Sequence, residues 1–192
     1  MKKFVLILCL LLSLYNNRAF AQENVNFSWG PVINLSKGFY DNNNLSGSFN
    51  PSFGIAFQNH FEYFLSFKAA VMYSYKSVGN IYGDSSRLGQ FIDIPIGLKF
   101  SDYYESEKLL KPYISVNYVS SIKISETTDD EKLLKTYIPG FNINIGTQIK
   151  MVSFFSHADI SLGYYRAFSD IYSNKKYSST LNQFTINLGF WF

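Results

Sequence analysis

His157, Asp159 and Ser161 fall at alternate positions of the run H-A-D-I-S, and these are the three residue types of a serine hydrolase. A triad needs its base within hydrogen-bond reach of the nucleophile and its acid within reach of the base. Residues two apart on one extended strand point the same way but stand ~6.5 to 7 Å apart, too far for direct proton transfer. The spacing therefore describes one face of a strand better than a catalytic centre. His60 falls at an apparent chain reversal, Asn59-His60, with no second ligand near it in sequence, so no metal site is expected. The single cysteine, Cys9, lies in the N-terminal apolar segment, which leaves the rest of the chain without a thiol, a disulfide or a cysteine metal site.

A different chemistry is carried by charged and amide residues buried in otherwise polar rows. Lys68 and Asp93 lie near the middle of two neighbouring runs, on the polar side of each. Their positions predict an ion pair across a hairpin centred between Asn80 and Ile81. Lys99, Asn117, Asn144, Gln148 and Asp159 share that side on other runs and extend the pair into a polar network. Such a network reads as a structural plug, with a gate or a solute path as the alternative.

The elements that must position these residues are strands. Phe27, Trp29, Ile33 and Leu35 alternate with Ser28, Gly30, Asn34 and Ser36, and two-residue periodicity of this kind is the signature of a strand with two unlike faces. The pattern recurs from Phe49 to Gln58 and again over Tyr63 to Lys76. It returns over Phe91 to Phe100, Tyr113 to Ile124, Phe141 to Lys150, His157 to Tyr165 and Phe184 to Phe192. Eight strands are expected, an even number as closed bacterial membrane barrels require. Pro95 cannot donate to a ladder, so a bulge or a missing hydrogen bond is expected there. Polar stretches at 38–48, 77–87, 126–137 and 169–180 read as loops at one end of the barrel.

Composition separates a membrane barrel from a soluble one. Only 16% of residues are charged and 19% are aromatic, whereas soluble domains carry about 25% charge. Gly30, Gly54, Gly97, Gly146, Gly163 and Gly189 all fall on the polar face. In an eight-stranded tube the inside is the crowded side, so the polar face is enclosed and the apolar face meets lipid. Tyr73, Tyr75, Tyr118 and Tyr164 would form one aromatic girdle, and Phe27, Trp29, Phe100, Phe190 and Phe192 the other.

Met1-Lys2-Lys3, the apolar run Phe4 to Leu14 and Ala19-Phe20-Ala21 have the form of a secretory signal peptide, 1–21, cleaved before Gln22. That apolar run is too short to span a bilayer as a helix, and none like it follows. Removing Lys2, Lys3 and Arg18 leaves fourteen basic residues against fourteen acidic ones, so the mature charge gives no reason to expect a nucleic-acid partner. Residues 22–192 then form one barrel domain.

The last strand, F-T-I-N-L-G-F-W-F, has Phe184, Ile186, Leu188, Phe190 and Phe192 on one face. It resembles the C-terminal insertion signal that the barrel-assembly machinery takes up in bacterial outer membranes. The segments I-D-I-P-I-G-L-K-F (Ile92 to Phe100), K-P-Y-I (Lys111 to Ile114) and L-G-F-W-F (Leu188 to Phe192) together resemble the PorT-like outer-membrane β-barrel family. The K-P-Y strand carries Asn117 where that family often has Gly. The resemblance implies an all-β, eight-stranded antiparallel up-and-down transmembrane barrel in outer-membrane lipid, and a link to envelope or secretion-complex proteins. The expected role is structural or interactive and non-enzymatic, without a cofactor. A narrow channel for small solutes is the second reading and a lipid-modifying enzyme the third.

Overall fold

The computed structural model describes residues 27–41, 45–61, 64–80, 83–101, 109–127, 134–151, 155–173 and 179–192. The expected signal peptide lies outside them. Eight antiparallel strands follow one another in chain order: β1 (Phe27–Tyr40), β2 (Leu45–His60), β3 (Leu65–Asn80), β4 (Gly83–Ser101), β5 (Leu110–Glu126), β6 (Tyr137–Lys150), β7 (His157–Asp170) and β8 (Thr180–Trp191). Each pairs with the next, and β8 pairs with β1 to close a barrel.

The register fixes the shape of the tube. Stepping from strand to strand through Ser28, Gln58, Lys68, Gly97, Asn117, Asn142, Tyr165 and Gln183 leads back to β1 at Gly38. The circuit thus climbs ten residues along β1, from position 28 to position 38, before it closes. That stagger tilts the strands by about 40° and leaves an interior just wide enough for side chains. At ~3.3 Å per residue along a strand so tilted, even β8, with 12 residues, rises about 30 Å, enough to cross a bilayer.

The two faces are partitioned in the opposite sense to a soluble protein. Leu162, Ile145 and Phe184 are 66%, 63% and 61% exposed on the outside, while Lys99 and Asp159 are 0% and 3% exposed on the inside. An apolar exterior with a polar, buried interior is stable only where the exterior meets hydrocarbon. Aromatic residues collect toward both ends of this surface. At the end carrying the last residue, Trp29 packs on Phe192 at 4.9 Å and Phe155 on Phe190 at 5.2 Å. Toward the other end, Phe39 stacks on Phe184 at 5.2 Å, Tyr73 on Phe53 at 5.5 Å and Phe141 on Phe168 at 5.7 Å.

Glycine on the inner face lets neighbouring strands approach. A Cβ at Gly54 would run into the Val71 carbonyl, and one at Gly97 into the Val116 carbonyl. A side chain at either position requires the wall itself to move.

Several boundaries differ from the sequence expectation. The stretch 77–87 is mostly strand, because β3 runs to Asn80 and β4 starts at Gly83. A wall that continues past the hydrocarbon needs no apolar residues on its outer face, so its polar composition imitates a loop. Likewise β1 runs to Tyr40 and β2 starts at Leu45, which shortens the expected 38–48 loop from both sides. Asn59 and His60 pair with Phe67 and Ser66 inside the β2–β3 ladder, so the reversal comes after His60. At Pro95 the β3–β4 ladder lapses between Ala69↔Ile96 and Met72↔Asp93 and resumes in the same register. The missing donor therefore leaves a gap there and no bulge.

Ile186 is 50% exposed on the outer face of β8. Ile186→Lys is expected to destabilise the barrel in lipid vesicles by about 2–4 kcal/mol, read by urea unfolding, while Ile186→Leu stays near wild type. Equal stability of the two variants would contradict a lipid-facing β8.

Candidate functional site

The candidate site is the lumen, and its side chains form three layers. The layer nearest the end with the last residue is a floor built around Trp191, which is fully buried. Lys99 projects inward from β4 and reaches across to Asp159 on β7 at 2.9 Å. Its ammonium also lies 4.0 Å from the Tyr113 ring centroid and 3.3 Å from the Gln58 side-chain oxygen. Charge pairing, a ring face and an amide together replace the water that a buried lysine loses. His157 stacks on Trp191 at 5.7 Å and 11°, and Lys68 lies over the same indole at 5.2 Å. His60 is held by Gln58 at 2.9 Å and by Ser66 at 2.6 Å.

Above the floor is a belt of amides. Asn187 donates to Asn144 and Ser161 at 3.1 and 3.0 Å. Asn144 donates to Ser115 at 3.0 Å and to Asn142, which also receives Asn117 at 3.3 Å. Beside this belt is a cavity of about 100 Å³ lined by Lys68, Asn34, Asn142, Asn187 and Asp159 among others.

The third layer is an apolar stopper. Tyr40, Phe91, Val119, Ile138, Tyr165, Ala167 and Leu181 point in from the wall and meet Leu134, Ile171 and Tyr172 from the connections above. Leu134 pairs with Tyr172 through an isolated bridge, and Lys135 N–H donates to the Ile171 carbonyl at 2.8 Å. Leu134 is further fixed by its N–H on Glu126 at 3.3 Å and by Lys123 on its carbonyl, while Lys123 and Glu126 pair at 2.8 Å. Beneath the stopper, Lys76 pairs with Asp93 at 2.8 Å and lies 5.3 Å from the Phe91 ring.

The predicted Lys68–Asp93 pair does not form. The register sets Lys68 opposite Gly97 and Met72 opposite Asp93, which places the centre of this ladder two residues past the predicted one. Asp93 takes Lys76 instead, and Lys68 stays on the floor. The remaining expected members are all lumenal: Lys99 and Asp159 pair directly, Asn117 and Asn144 belong to the amide belt, and Gln148 is buried opposite Asp159 and Lys111 in register. His60, expected in a turn, faces inward as part of the floor.

His157, Asp159 and Ser161 do not assemble a nucleophile and its base. Asp159 engages Lys99, Ser161 accepts from Asn187, and His157 Nδ1 lies 2.9 Å from the Ser156 hydroxyl. No group of three His, Cys, Asp or Glu gathers in a way that could hold a metal ion among the described residues.

Two features went unread in the sequence. Lys76 shares the inward parity of Lys68, but pairing the mid-strand residues hid it as the partner of Asp93. The stopper had a visible signal: Phe91, Val119, Ile138 and Leu181 interrupt otherwise polar inward rows.

No protein-family model matches the chain, and no curated protein matches it. Solved structures do. Neisserial surface protein A superposes with a TM-score of 0.60 at 13% identity, covering 88% of this chain and 100% of that one. The outer membrane protein OprG from Pseudomonas aeruginosa gives 0.55 at 10% identity over 88% and 97% of the two chains. The outer membrane protein AlkL gives 0.50 at 11% identity over 88% and 92%. The chain therefore has the fold of small eight-stranded outer-membrane β-barrels.

Asp159→Asn leaves Lys99 buried without its counter-charge and is expected to cost about 3–5 kcal/mol. Replacing both partners together, Lys99→Met with Asp159→Leu, should recover most of that loss. Urea unfolding of the folded barrel in detergent reads the difference, and a double variant no more stable than Asp159→Asn would contradict the pairing.

Proposed function

We propose that the chain is a non-enzymatic integral protein of the bacterial outer membrane, exported with its signal peptide removed. It acts as a non-conducting barrel whose exposed ends serve a structural or interaction role in secretion or envelope assembly. The observation that carries this reading is the filled lumen. A charged and aromatic floor around Trp191 and an apolar stopper around Phe91 and Leu134 close the tube at two separate levels.

A solute crossing the barrel would have to part the Lys99–Asp159 pair and displace a buried cluster of apolar side chains. Both are costly in a narrow, rigid tube. An interior built this way favours stiffness of the wall, which suits a scaffold that holds its connecting segments in place. The secretion link rests on the PorT-like segments alone, and the solved neighbours support the fold and the membrane.

Barrel purified from native outer membranes is expected to carry associated envelope proteins and to hold a flat baseline in planar-bilayer recordings. Discrete conductance steps from the partner-free barrel would overturn the proposal in favour of a narrow channel.

A further inference from the structure

Around the cavity, the inward side chains of the described residues carry three lysines, Lys68, Lys76 and Lys99, and two aspartates, Asp93 and Asp159, while Lys111 stands beside His60 and His157 and is engaged there. Lys76 is matched to Asp93 at 2.8 Å and Lys99 to Asp159 at 2.9 Å. Lys68 is the odd cation. Among the described residues its ammonium has no carboxylate within salt-bridge distance and no hydrogen bond, and it rests on the Trp191 ring at 5.2 Å. It senses Asp159 only at longer range; Lys99 holds Oδ2 of that carboxylate, and Oδ1, also in the cavity lining, has no hydrogen-bond partner among the described residues.

Beside Lys68 is a second donor without a partner. Trp191 is 0% exposed, yet its Nε1 has no hydrogen-bond acceptor. Nε1 lies next to Gly189, where an added Cβ would come within 3.2 Å of it, and both Gly189 and Lys68 line the cavity. Buried donors without acceptors are rare in folded proteins and mark a missing partner.

We infer that Lys68, with the indole N–H of Trp191, forms a lumenal site for a small monovalent anion of halide or formate size. Lys68, Lys99 and Lys111 outnumber Asp159 among the described residues of the floor, and an anion offsets part of that excess. The volume, about 100 Å³, admits an ion of this size with a few waters and excludes a nucleotide or a sugar. A lysine over an aromatic face is also desolvated on one side, so its remaining donors point toward the cavity. The site goes beyond the scaffold role and does not depend on it, since an anion seated here adds to the floor.

The protein contains two tryptophans, Trp29 and Trp191, so Trp29→Phe on the lipid face leaves Trp191 as its own reporter. The barrel is folded into detergent micelles at constant ionic strength while sodium gluconate is replaced stepwise by sodium iodide. Saturable quenching of Trp191 emission is expected, shifted to roughly tenfold higher iodide when Lys68→Met is added. Lys68→Arg should keep the saturable phase. Linear quenching of equal slope with and without Lys68, or no quenching at all, would overturn the site. Should Lys68→Met fail to fold, crystals grown in sodium bromide decide: anomalous density at Lys68 Nζ supports the site, and waters alone overturn it.

Discussion

The structure depends on closure of its hydrogen-bond ladder. In hydrocarbon no water is present to satisfy a free backbone N–H or C=O, and each one left open costs several kcal/mol. The seam between β8 and β1 removes the two edges that an open sheet would present, from Val32↔Gly189 to Tyr40↔Leu181. Beyond its end, Phe192 N–H still donates to the Trp29 carbonyl at 2.9 Å, so the closing strand is fastened up to the final residue. The aromatic pair Trp29 and Phe192 covers that junction from outside.

Closure with eight strands fixes the size of the interior, and the size dictates its chemistry. The tube is too narrow for a water column, so a charge inside cannot rely on bulk water, and Lys76 and Lys99 each take a carboxylate from the wall. Lys99 on β4 finds Asp159 on β7, across the lumen, whereas Lys76 on β3 finds Asp93 on the adjacent strand. The transverse pair ties opposite walls together at the floor, and the apolar stopper does the same at the other end by a different force. Between them the amide belt links β5, β6, β7 and β8 through Asn117, Asn142, Asn144, Ser161 and Asn187. The wall is thus braced from inside at three levels, while its exterior is predominantly apolar.

The fold was legible because two-residue alternation survives in every strand and the glycines keep to one side of it. Which residues face inward could be read for Lys68, Asp93, Lys99, Asn117, Asn144, Gln148 and Asp159, and all of them do. Their partners could not. Contacts between strand neighbours follow from register, and register is obscured by the polar ends of β3 and β4, which pass for a loop. Contacts across the lumen depend on the stagger of the whole ring, a property of eight pairings taken together and of no single segment. The stopper was partly readable: Phe91 and Ile138 break their polar rows, but Leu134, Ile171 and Tyr172 come from connecting segments that have no periodicity to interpret.

The assignment of the two faces is open to direct measurement, because Trp29 lies on the outside and Trp191 on the inside. Single-tryptophan barrels, made with Trp191→Phe or Trp29→Phe, are folded into vesicles whose acyl chains carry bromine. The account predicts strong quenching of Trp29 and none of Trp191. Quenching of Trp191 with Trp29 untouched would show that the Gly- and Asn-bearing face meets lipid, and would contradict it.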